Sequence, residues 1–357
     1  MSRVMDHPRN FVSQTNIDTS QIFKRSLFTC AIPNSRCVVV VGRRVTKSSA
    51  TISAAIFDID TCLYSDLPDI PCAISCAGAI IYDFLYVVSF DKIHRISLSK
   101  PSSWELVHHR VVKEPVHSVL SREDLLFIFN QHGTNLVYDT RENECTIMSP
   151  MKTLRVGFAS VVIQNKIFII GGYGYFSCRN LASVEVYDIS ERSWSEAPPL
   201  PRELGSSAAT AIKTWIVVTG GDYDDGNLSP QSFLFETLTN KWTTHKFGLS
   251  TPRTNHCCIE IGERDIICTG GQDIDEEFCS TEVISRRCLI PSWDVIKHFV
   301  LLRKLVDENR ASPTMRKKLK REKYAGMNAN VNINTLLQIL MTDTDWDILR
   351  EILSFLI

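Results

Sequence analysis

Three arginines stand shortly before apolar runs in the second half of the chain. They occur in the stretches Lys152-Thr-Leu-Arg155, Leu200-Pro-Arg202 and Thr251-Pro-Arg253. An arginine side chain is planar, permanently charged and able to donate paired hydrogen bonds, so it suits the recognition of carboxylate groups. The same side chain can instead donate to neighbouring backbone carbonyls and brace its own loop. The sequence leaves both roles open: binding of an acidic partner, or bracing alone.

Aromatic and acidic residues follow the glycine pairs of the chain. Tyr173 and Tyr175 come after the first pair, and Tyr223 comes after the second. Tyrosine is a frequent anchor residue in protein interfaces. The acidic stretch DYDDGN (222–227) lacks the spacing and the distal glutamate of a calcium loop, so we interpret its charges as solvated. The sequence predicts that the three tyrosines contact a partner protein and that no metal is bound.

Nothing in the sequence indicates a catalytic centre. The histidines are scattered, and no nucleophile elbow, zinc-protease helix or phosphate-binding loop occurs. The twelve cysteines include no paired CxxC motifs, and the N-terminal residues contain no apolar export signal. We therefore expect reduced thiols, a cytoplasmic or nuclear location, no catalytic residue and no cofactor.

Composition excludes two further classes of protein. The chain has 357 residues, a formal net charge of -1, 44% hydrophobic residues and 22% charged residues. No apolar run reaches the ~18 residues of a membrane-spanning helix. The balanced charge gives no general attraction to nucleic acid. We predict a globular protein that binds neither membranes nor nucleic acids.

The segments that must position the arginines and tyrosines form a repeat. Glycine pairs at 171–172, 220–221 and 270–271 each follow an apolar run and precede a tryptophan, at positions 194, 242 and 293. The pairs begin 49 and 50 residues apart. Each unit contains four short apolar segments separated by turn signals, which predicts a small four-stranded sheet. Because one such sheet cannot bury both faces alone, we expect the units to stack against one another.

This pattern resembles the kelch repeat, which has a period of about 50 residues. The first clear unit has the glycine pair Gly171-Gly172, the pair Tyr187-Asp188 and then Trp194. The resemblance implies an all-β fold of the β-propeller type. It also implies that the loops entering the inner strands surround one mouth of a central channel.

The same resemblance places candidate binding residues on that mouth. Arg155, Arg202 and Arg253 are expected at equivalent places of three blades, where they converge on one rim. Arg43, which directly follows Gly42, is expected to join them. The binding set predicted from the sequence is Arg43, Arg155, Arg202, Arg253, Tyr173, Tyr175 and Tyr223.

Three weaker copies precede the clear ones and keep parts of the pattern. The six units lie at about 27–64, 73–107, 115–148, 156–196, 205–244 and 254–293. They predict a six-bladed kelch-type β-propeller over residues 27–293. Residues 1–26 are expected either to supply a strand that closes the ring or to be disordered.

The pattern changes after Trp293. Apolar residues take a helical spacing, which predicts an α-helical C-terminal extension over 294–357. Six basic residues at 316–323 suggest either a solvated helix or linker face, or a nuclear import signal or nucleic-acid contact. Residues 346–356 are similar to the core helix of an F-box but lack its Leu-Pro opening, so we interpret them as an ordinary packing helix.

Two functions are compatible with these observations. The first is a binding module that docks another protein, including an acidic peptide, on the loop-lined mouth. Such a module serves as a scaffolding adaptor or as the substrate-recognition arm of a ubiquitin ligase. The alternative is an enzyme on the same scaffold, of the sugar epimerase or metal-dependent lyase type, which requires histidines and carboxylates converging at the channel mouth. Fold alone does not choose between them. Because no such cluster is visible, we predict the binding module and no enzymatic activity.

Overall fold

The described part of the chain folds into short β-strands joined by turns and loops. The computed structural model describes residues 16–18, 25–45, 50–61, 63–72, 76–110, 113–245, 248–261, 265–273 and 280–285. All of them belong to one folding unit, Met1–Leu289. The predicted helical extension over 294–357, with its basic stretch, lies outside the described residues.

Six four-stranded antiparallel sheets account for most of the strands. After a first short strand, β1 (Asn16–Asp18), the first sheet consists of β2 (Arg25–Ala31), β3 (Cys37–Val45), β4 (Ala50–Asp58) and β5 (Leu63–Asp66). The second consists of β6 (Ala77–Ile81), β7 (Phe84–Val88), β8 (Lys92–Ser97) and β9 (Glu105–His109). The third consists of β10 (Val116–Arg122), β11 (Leu125–Asn130), β12 (Leu136–Asp139) and β13 (Glu144–Ile147).

The fourth sheet carries a small additional sheet in its loops. After β14 (Arg155–Val156) come β15 (Ala159–Ile163) and β16 (Lys166–Ile170). The hairpin β17 (Tyr173–Gly174) and β18 (Arg179–Asn180) pairs with β14, and the fourth sheet is completed by β19 (Val184–Asp188) and β20 (Ser193–Ala197). The fifth sheet consists of β21 (Ala208–Ile212), β22 (Trp215–Thr219), β23 (Ser232–Glu236) and β24 (Lys241–His245).

The sixth sheet combines strands from both ends of the unit. It consists of β25 (Cys257–Ile261), β26 (Asp265–Thr269) and β27 (Ser280–Ser285), with β1 as its fourth strand. Asn16 pairs with Glu282 and Asp18 pairs with Ser280. The sequence pattern placed the outer segment of this unit at Trp293, which lies outside the described residues.

Neighbouring sheets pack face to face. The first strands of the six sheets contact one another in the cyclic order β2, β6, β10, β15, β21, β25 and back to β2. Buried apolar clusters fill the spaces between adjacent sheets; one of them joins the valines and isoleucines of β15 and β16 to Phe233 and Phe235 of β23. Removal of this apolar surface from water is the main driving force for such stacking. The prediction of an all-β fold built from antiparallel four-stranded sheets is confirmed for the described residues.

The repeated sequence features have repeated structural roles. Both glycines of each pair have positive φ, as at Gly171 (60°) and Gly172 (91°), a conformation that side chains other than glycine rarely adopt. The aspartate of the Tyr-Asp motif accepts two backbone hydrogen bonds in the following turn, as Asp188 does from Ser190 and Glu191. The indole of Trp242 donates to the carbonyl of Pro198 in the preceding connection, at 2.7 Å. These contacts fix the loops that hold the candidate site.

Candidate partner-binding surface

Arg155 lies inside the loop region and not on its surface. Its side chain is 0% exposed and forms an ion pair with Glu185 of β19, at 2.6 Å. Nη1 donates to the carbonyls of Gly171 and Ser183, both at 2.9 Å. Burial lowers the pKa of the Arg155 guanidinium, and the charge of Glu185 opposes that shift. Arg155 therefore ties the loop before β15 to the glycine pair and to β19.

Arg253 repeats this arrangement in the sixth sheet. It pairs with the buried Glu282 of β27 at 2.6 Å and donates to the carbonyl of Gly270 at 3.0 Å. Of the two roles left open by the sequence, these buried contacts favour bracing for both arginines. A partner at the surface reaches neither guanidinium, because each is almost completely enclosed by its own loop and strand.

The glutamates of the two pairs also bond to the loop backbone. Glu185 accepts hydrogen bonds from the amides of Lys152 (2.7 Å) and Thr153 (3.1 Å). Glu282 accepts from the amide of Ser250 at 2.8 Å. Each carboxylate is thus held by a guanidinium and by backbone donors, which is the condition under which a buried charge is tolerated.

The fifth sheet replaces the ion pair by apolar residues. Counted from the start of the inner strand, Leu204 stands where Arg155 and Arg253 stand, and Phe233 occupies the place of the glutamates. Both residues belong to the same buried apolar cluster. Pro201, which has no amide hydrogen, stands where Lys152 and Ser250 donate to the carboxylates. The buried ion pair with its backbone donors fills one place of the repeat in the fourth and sixth sheets. In the fifth sheet Leu204, Phe233 and Pro201 fill the same place.

The prediction that Arg202 is equivalent to Arg155 and Arg253 is wrong. Arg202 lies two residues earlier in the register, and its side chain is 51% exposed. The guanidinium carbon lies 3.5 Å from the ring centroid of Tyr223, and Nη2 bonds to Asp225 at 3.3 Å. Arg202 is a surface residue that stacks on an aromatic ring.

The tyrosines separate into exposed and buried members. Tyr223 is 6% exposed and donates its hydroxyl hydrogen to Ser229, so it supports Arg202 from below. Tyr173 and Tyr175 are exposed on the β17–β18 hairpin. Phe176, which the sequence analysis did not single out, is 84% exposed and meets Tyr175 edge to face.

The hairpin and Arg202 belong to one continuous surface. The amide of Asn180 in β18 donates to Asp224 at 2.7 Å, and its side-chain amide donates to the carbonyl of Asp222 at 2.9 Å. The loop that contains Asp222 and Asp224 also contains Asp225, the partner of Arg202. We call the exposed residues Tyr173, Tyr175, Phe176 and Arg202 the rim surface.

Arg43 does not belong to the rim surface. It is exposed in β3 of the first sheet, whereas the rim surface lies on the loops of the fourth and fifth sheets. In the cyclic order of contacts the first sheet adjoins the second and the sixth. Arg43 thus lies apart from Tyr173, Tyr175, Phe176 and Arg202, and its convergence with the arginines of the other blades stays a prediction.

The described residues provide no candidate metal site. No group of three or more histidines, cysteines or carboxylates within them is arranged to hold a metal ion. His256 is buried, its Nε2 lies 2.9 Å from the hydroxyl of Thr219, and burial lowers its pKa to about 3. Burial also lowers the pKa of His117, whose Nε2 bonds to the carbonyl of Phe158. Both histidines have structural contacts inside the repeat.

Comparison with known proteins identifies the repeat. The family model of the Kelch motif matches residues 154–201, which include the loop of Arg155, the glycine pair and Trp194. The chain is a kelch-repeat protein.

Parts of the chain are similar to longer proteins. Kelch repeat and BTB domain-containing protein 3 of Mus musculus is 31% identical over 112 residues, which cover 30% of this chain and 18% of the relative. Kelch-like protein 36 of Rattus norvegicus is 28% identical over 144 residues, 40% of this chain and 23% of the relative. Alpha-scruin of Limulus polyphemus is 29% identical over 154 residues, 42% of this chain and 16% of the relative. The chain thus matches less than a quarter of the length of each.

Within the described segments, no helix has the length and apolarity that crossing a bilayer requires.

Proposed function

We propose that this kelch-repeat protein is an adaptor that docks another protein on the rim surface. The observation that carries the proposal is the exposure of three aromatic side chains beside an exposed arginine, all on loops fixed by buried contacts. Clustered aromatic residues and arginine are the residue types most often found at the energetic centres of protein interfaces. The family of the relatives agrees with a protein-binding role.

We infer further that the six sheets form a six-bladed propeller closed by β1. The cyclic contacts of the inner strands support this arrangement, as does the pairing of β1 with β27. In such a ring the connections before the inner strands and the loops after the glycine pairs lie at one end. The rim surface is built from loops of both kinds.

The partner inferred from the rim surface is a peptide segment with apolar and acidic side chains. The aromatic rings of Tyr175 and Phe176 offer apolar contact area. Among the described residues Arg202 forms its ion pair with the exposed Asp225, and such surface ion pairs contribute about 0–1 kcal/mol. A carboxylate of the partner can therefore replace Asp225 at little cost while Tyr223 keeps the guanidinium in place.

Arg155 and Arg253 contribute to binding indirectly in this proposal. Arg155 lies in β14, and Gly174 of the hairpin pairs with it in the small sheet. Its ion pair with Glu185 fixes the backbone that carries Tyr173 and Tyr175. We therefore assign the buried arginines a positioning role and the rim surface the direct contacts.

We propose a substrate-recognition or scaffolding role for the whole protein, in the cytoplasm or the nucleus. The name of the murine relative joins kelch repeats to a BTB domain, and this combination motivates the ubiquitin ligase version of the proposal. The metal-dependent form of the enzymatic alternative has no supporting group of histidines, cysteines or carboxylates in the part of the chain that the structure describes.

The test is affinity capture with the full chain and two matched triple variants. The rim variant is Tyr175→Ser, Phe176→Ser and Arg202→Ala. The control variant is Ile147→Ser, Leu238→Ser and Lys100→Ala, which removes exposed apolar groups and one positive charge elsewhere. Circular dichroism and thermal unfolding verify that both variants are folded.

We expect the rim variant to lose partners that the wild type and the control variant retain. If the single variant Arg202→Lys, which keeps the aromatic residues, still captures the partners, the arginine makes a charge contact that does not need paired hydrogen bonds. If the rim variant captures the same proteins as the control variant, the rim surface is not the docking site.

A further inference from the structure

Two cysteines face each other across the inner strands of the sixth sheet. Cys258 of β25 and Cys268 of β26 are direct cross-strand partners. Their Sγ atoms lie 3.2 Å apart. Both thiols are reduced, and Cys268 is buried while Cys258 is partly exposed. The pair is thus a dithiol in which Cys258 is the more exposed residue.

The backbone geometry suits a covalent link between them. Opposed residues of antiparallel strands have Cα atoms about 4.5–5.5 Å apart. Disulfides are found at Cα separations of about 4.4–6.8 Å. The two Sγ atoms need to approach by about 1 Å to reach the bond length of about 2.0 Å, which small side-chain rotations supply. Backbone rearrangement is not needed.

The surroundings distinguish the two sulfurs. The thiol of Cys268 donates its hydrogen to Sγ of Cys258. That hydrogen bond, together with burial, raises the pKa of Cys268 well above its ordinary value. Cys258 is therefore the sulfur that meets an oxidant first, and Cys268 is the sulfur that follows.

We propose that Cys258 and Cys268 form a peroxide-oxidisable site that closes a cross-strand disulfide in the sixth sheet. The thiolate of Cys258 attacks one oxygen of hydrogen peroxide, the O–O bond breaks, and the leaving hydroxide takes the released proton to become water. Sγ of Cys268 then attacks the sulfenic sulfur of Cys258 and expels hydroxide, which takes the proton of Cys268 and leaves as a second water. Two thiols and one peroxide thus give one disulfide and two waters.

The position of the pair gives the reaction a mechanical effect. β25 contacts β2 of the first sheet and β21 of the fifth sheet. The same sheet holds β1 by only three paired residues. A link between β25 and β26 stiffens the two inner strands of this sheet, so the oxidised protein is more resistant to unfolding than the reduced one. This inference does not depend on the proposed docking function.

Other thiols provide internal competitors. Cys257 neighbours Cys258, is also partly exposed, and bonds to the carbonyl of Leu27. Cys178 is exposed on the β17–β18 hairpin. Cys72 and Cys76 share a hydrogen bond in the connection after the first sheet. The proposal requires the Cys258–Cys268 pair to oxidise to a disulfide before these thiols do.

The experiment is a graded oxidation of the reduced full-length protein. Hydrogen peroxide is added in increasing amounts, free thiols are blocked with N-ethylmaleimide, and tryptic peptides are analysed by mass spectrometry. Cleavage after Arg264 separates residues 254–264 from 265–286, so the disulfide appears as two linked peptides that a reductant releases. We expect the linked pair to be lighter by about 2 Da than the sum of its reduced peptides, which corresponds to two hydrogen atoms.

Three variants decide the outcome. Cys258→Ser and Cys268→Ala are each expected to abolish the link, and Cys257→Ser is expected to leave it intact. Thermal unfolding should show a higher Tm for the oxidised than for the reduced wild type, with no such shift in Cys258→Ser. The proposal is overturned if N-ethylmaleimide still labels both Cys258 and Cys268 at peroxide amounts that have oxidised Cys178. It is also overturned if the link persists in Cys258→Ser, or if Cys72 and Cys76 form the first disulfide.

Discussion

The fifth sheet has apolar residues where the fourth sheet has a buried ion pair. Substitutions between these two sets can therefore test how much the ion pair contributes to the free energy of unfolding. Arg155→Leu introduces into the fourth sheet the residue type found at Leu204 in the fifth. The substitution leaves Glu185 buried without its cationic partner and removes the donors to Gly171 and Ser183. Breaking a buried pair from one side typically costs about 3–5 kcal/mol. We expect a value near 4–5 kcal/mol, because two carbonyls also lose their donor.

The matched substitution should recover most of this loss. Combining Arg155→Leu with Glu185→Phe reproduces the apolar pair of the fifth sheet, so no uncompensated charge remains. The amides of Lys152 and Thr153 then lack an acceptor, and an unpaired buried donor costs about 1–3 kcal/mol. Adding Lys152→Pro removes the first of these donors, as Pro201 does in the fifth sheet. We expect the triple variant to lie within about 1–2 kcal/mol of the wild type, since apolar replacements of whole buried pairs are often nearly neutral.

Urea unfolding followed by tryptophan fluorescence measures these differences in the free energy of unfolding. The singles Arg155→Leu and Glu185→Phe and their double give a double-mutant cycle with an expected coupling of about 4–5 kcal/mol. The exposed ion pair between Lys152 and Glu196 serves as the control; Glu196→Gln should change stability by less than about 1 kcal/mol. If the two single losses simply add in the double variant, the ion pair is not the unit that braces this loop and our reasoning fails.

Three further predictions concern the glycine pairs, the buried histidine and the tryptophans. Gly220→Ala should cost about 3 kcal/mol or more in urea unfolding, because an added Cβ would lie 2.5 Å from Cε1 of His256 at a positive φ; Gly226→Ala, with φ also positive but nothing within 4 Å, should cost only about 1 kcal/mol. Burial holds the pKa of His256 at about 3, below the 6.5 of a free histidine, so the unfolded chain takes up this proton first as pH falls. Stability should therefore decrease from about pH 6.5 towards pH 3, and His256→Asn should reduce that slope; an unchanged slope would contradict the assignment. Trp242→Phe removes the indole bond to Pro198 and should cost about 1–2 kcal/mol, whereas an unchanged urea midpoint would show that this bond does not secure the loop.

Sequence spacing was sufficient for the repeating framework. The glycine pairs, the Tyr-Asp turns and the tryptophans recur at a nearly constant distance because each performs a local task that only a few residue types can perform. Backbone with positive φ demands glycine at Gly171 and Gly172, and the turn after β19 uses the carboxylate of Asp188. Such local requirements can be read from one chain.

The site was harder to predict because burial depends on register. The Pro-Arg dipeptides at 201–202 and 252–253 suggested equivalent arginines, yet counting back from the inner strands puts Leu204 in line with Arg253. A second signal was also present: VEVYD and TEVIS carry glutamate at the second position, whereas SFLFE carries phenylalanine. Reading the loop and the strand together would have indicated two buried ion pairs and one apolar replacement. The exposure of Phe176 depends on the hairpin conformation, which spacing alone does not specify.

The pairing of β1 with β27 joins two strands that are synthesised at different times. Asp18 and Ser280 are partners, although about 260 residues are synthesised between them. At a translation rate of ~5–20 residues per second, roughly 13–50 s pass between the synthesis of β1 and that of β27. During that interval β1 has no β27 to pair with, and the edge of β27 that it covers has not been made. A nascent chain that ends before residue 280 therefore leaves β1 without its partner strand.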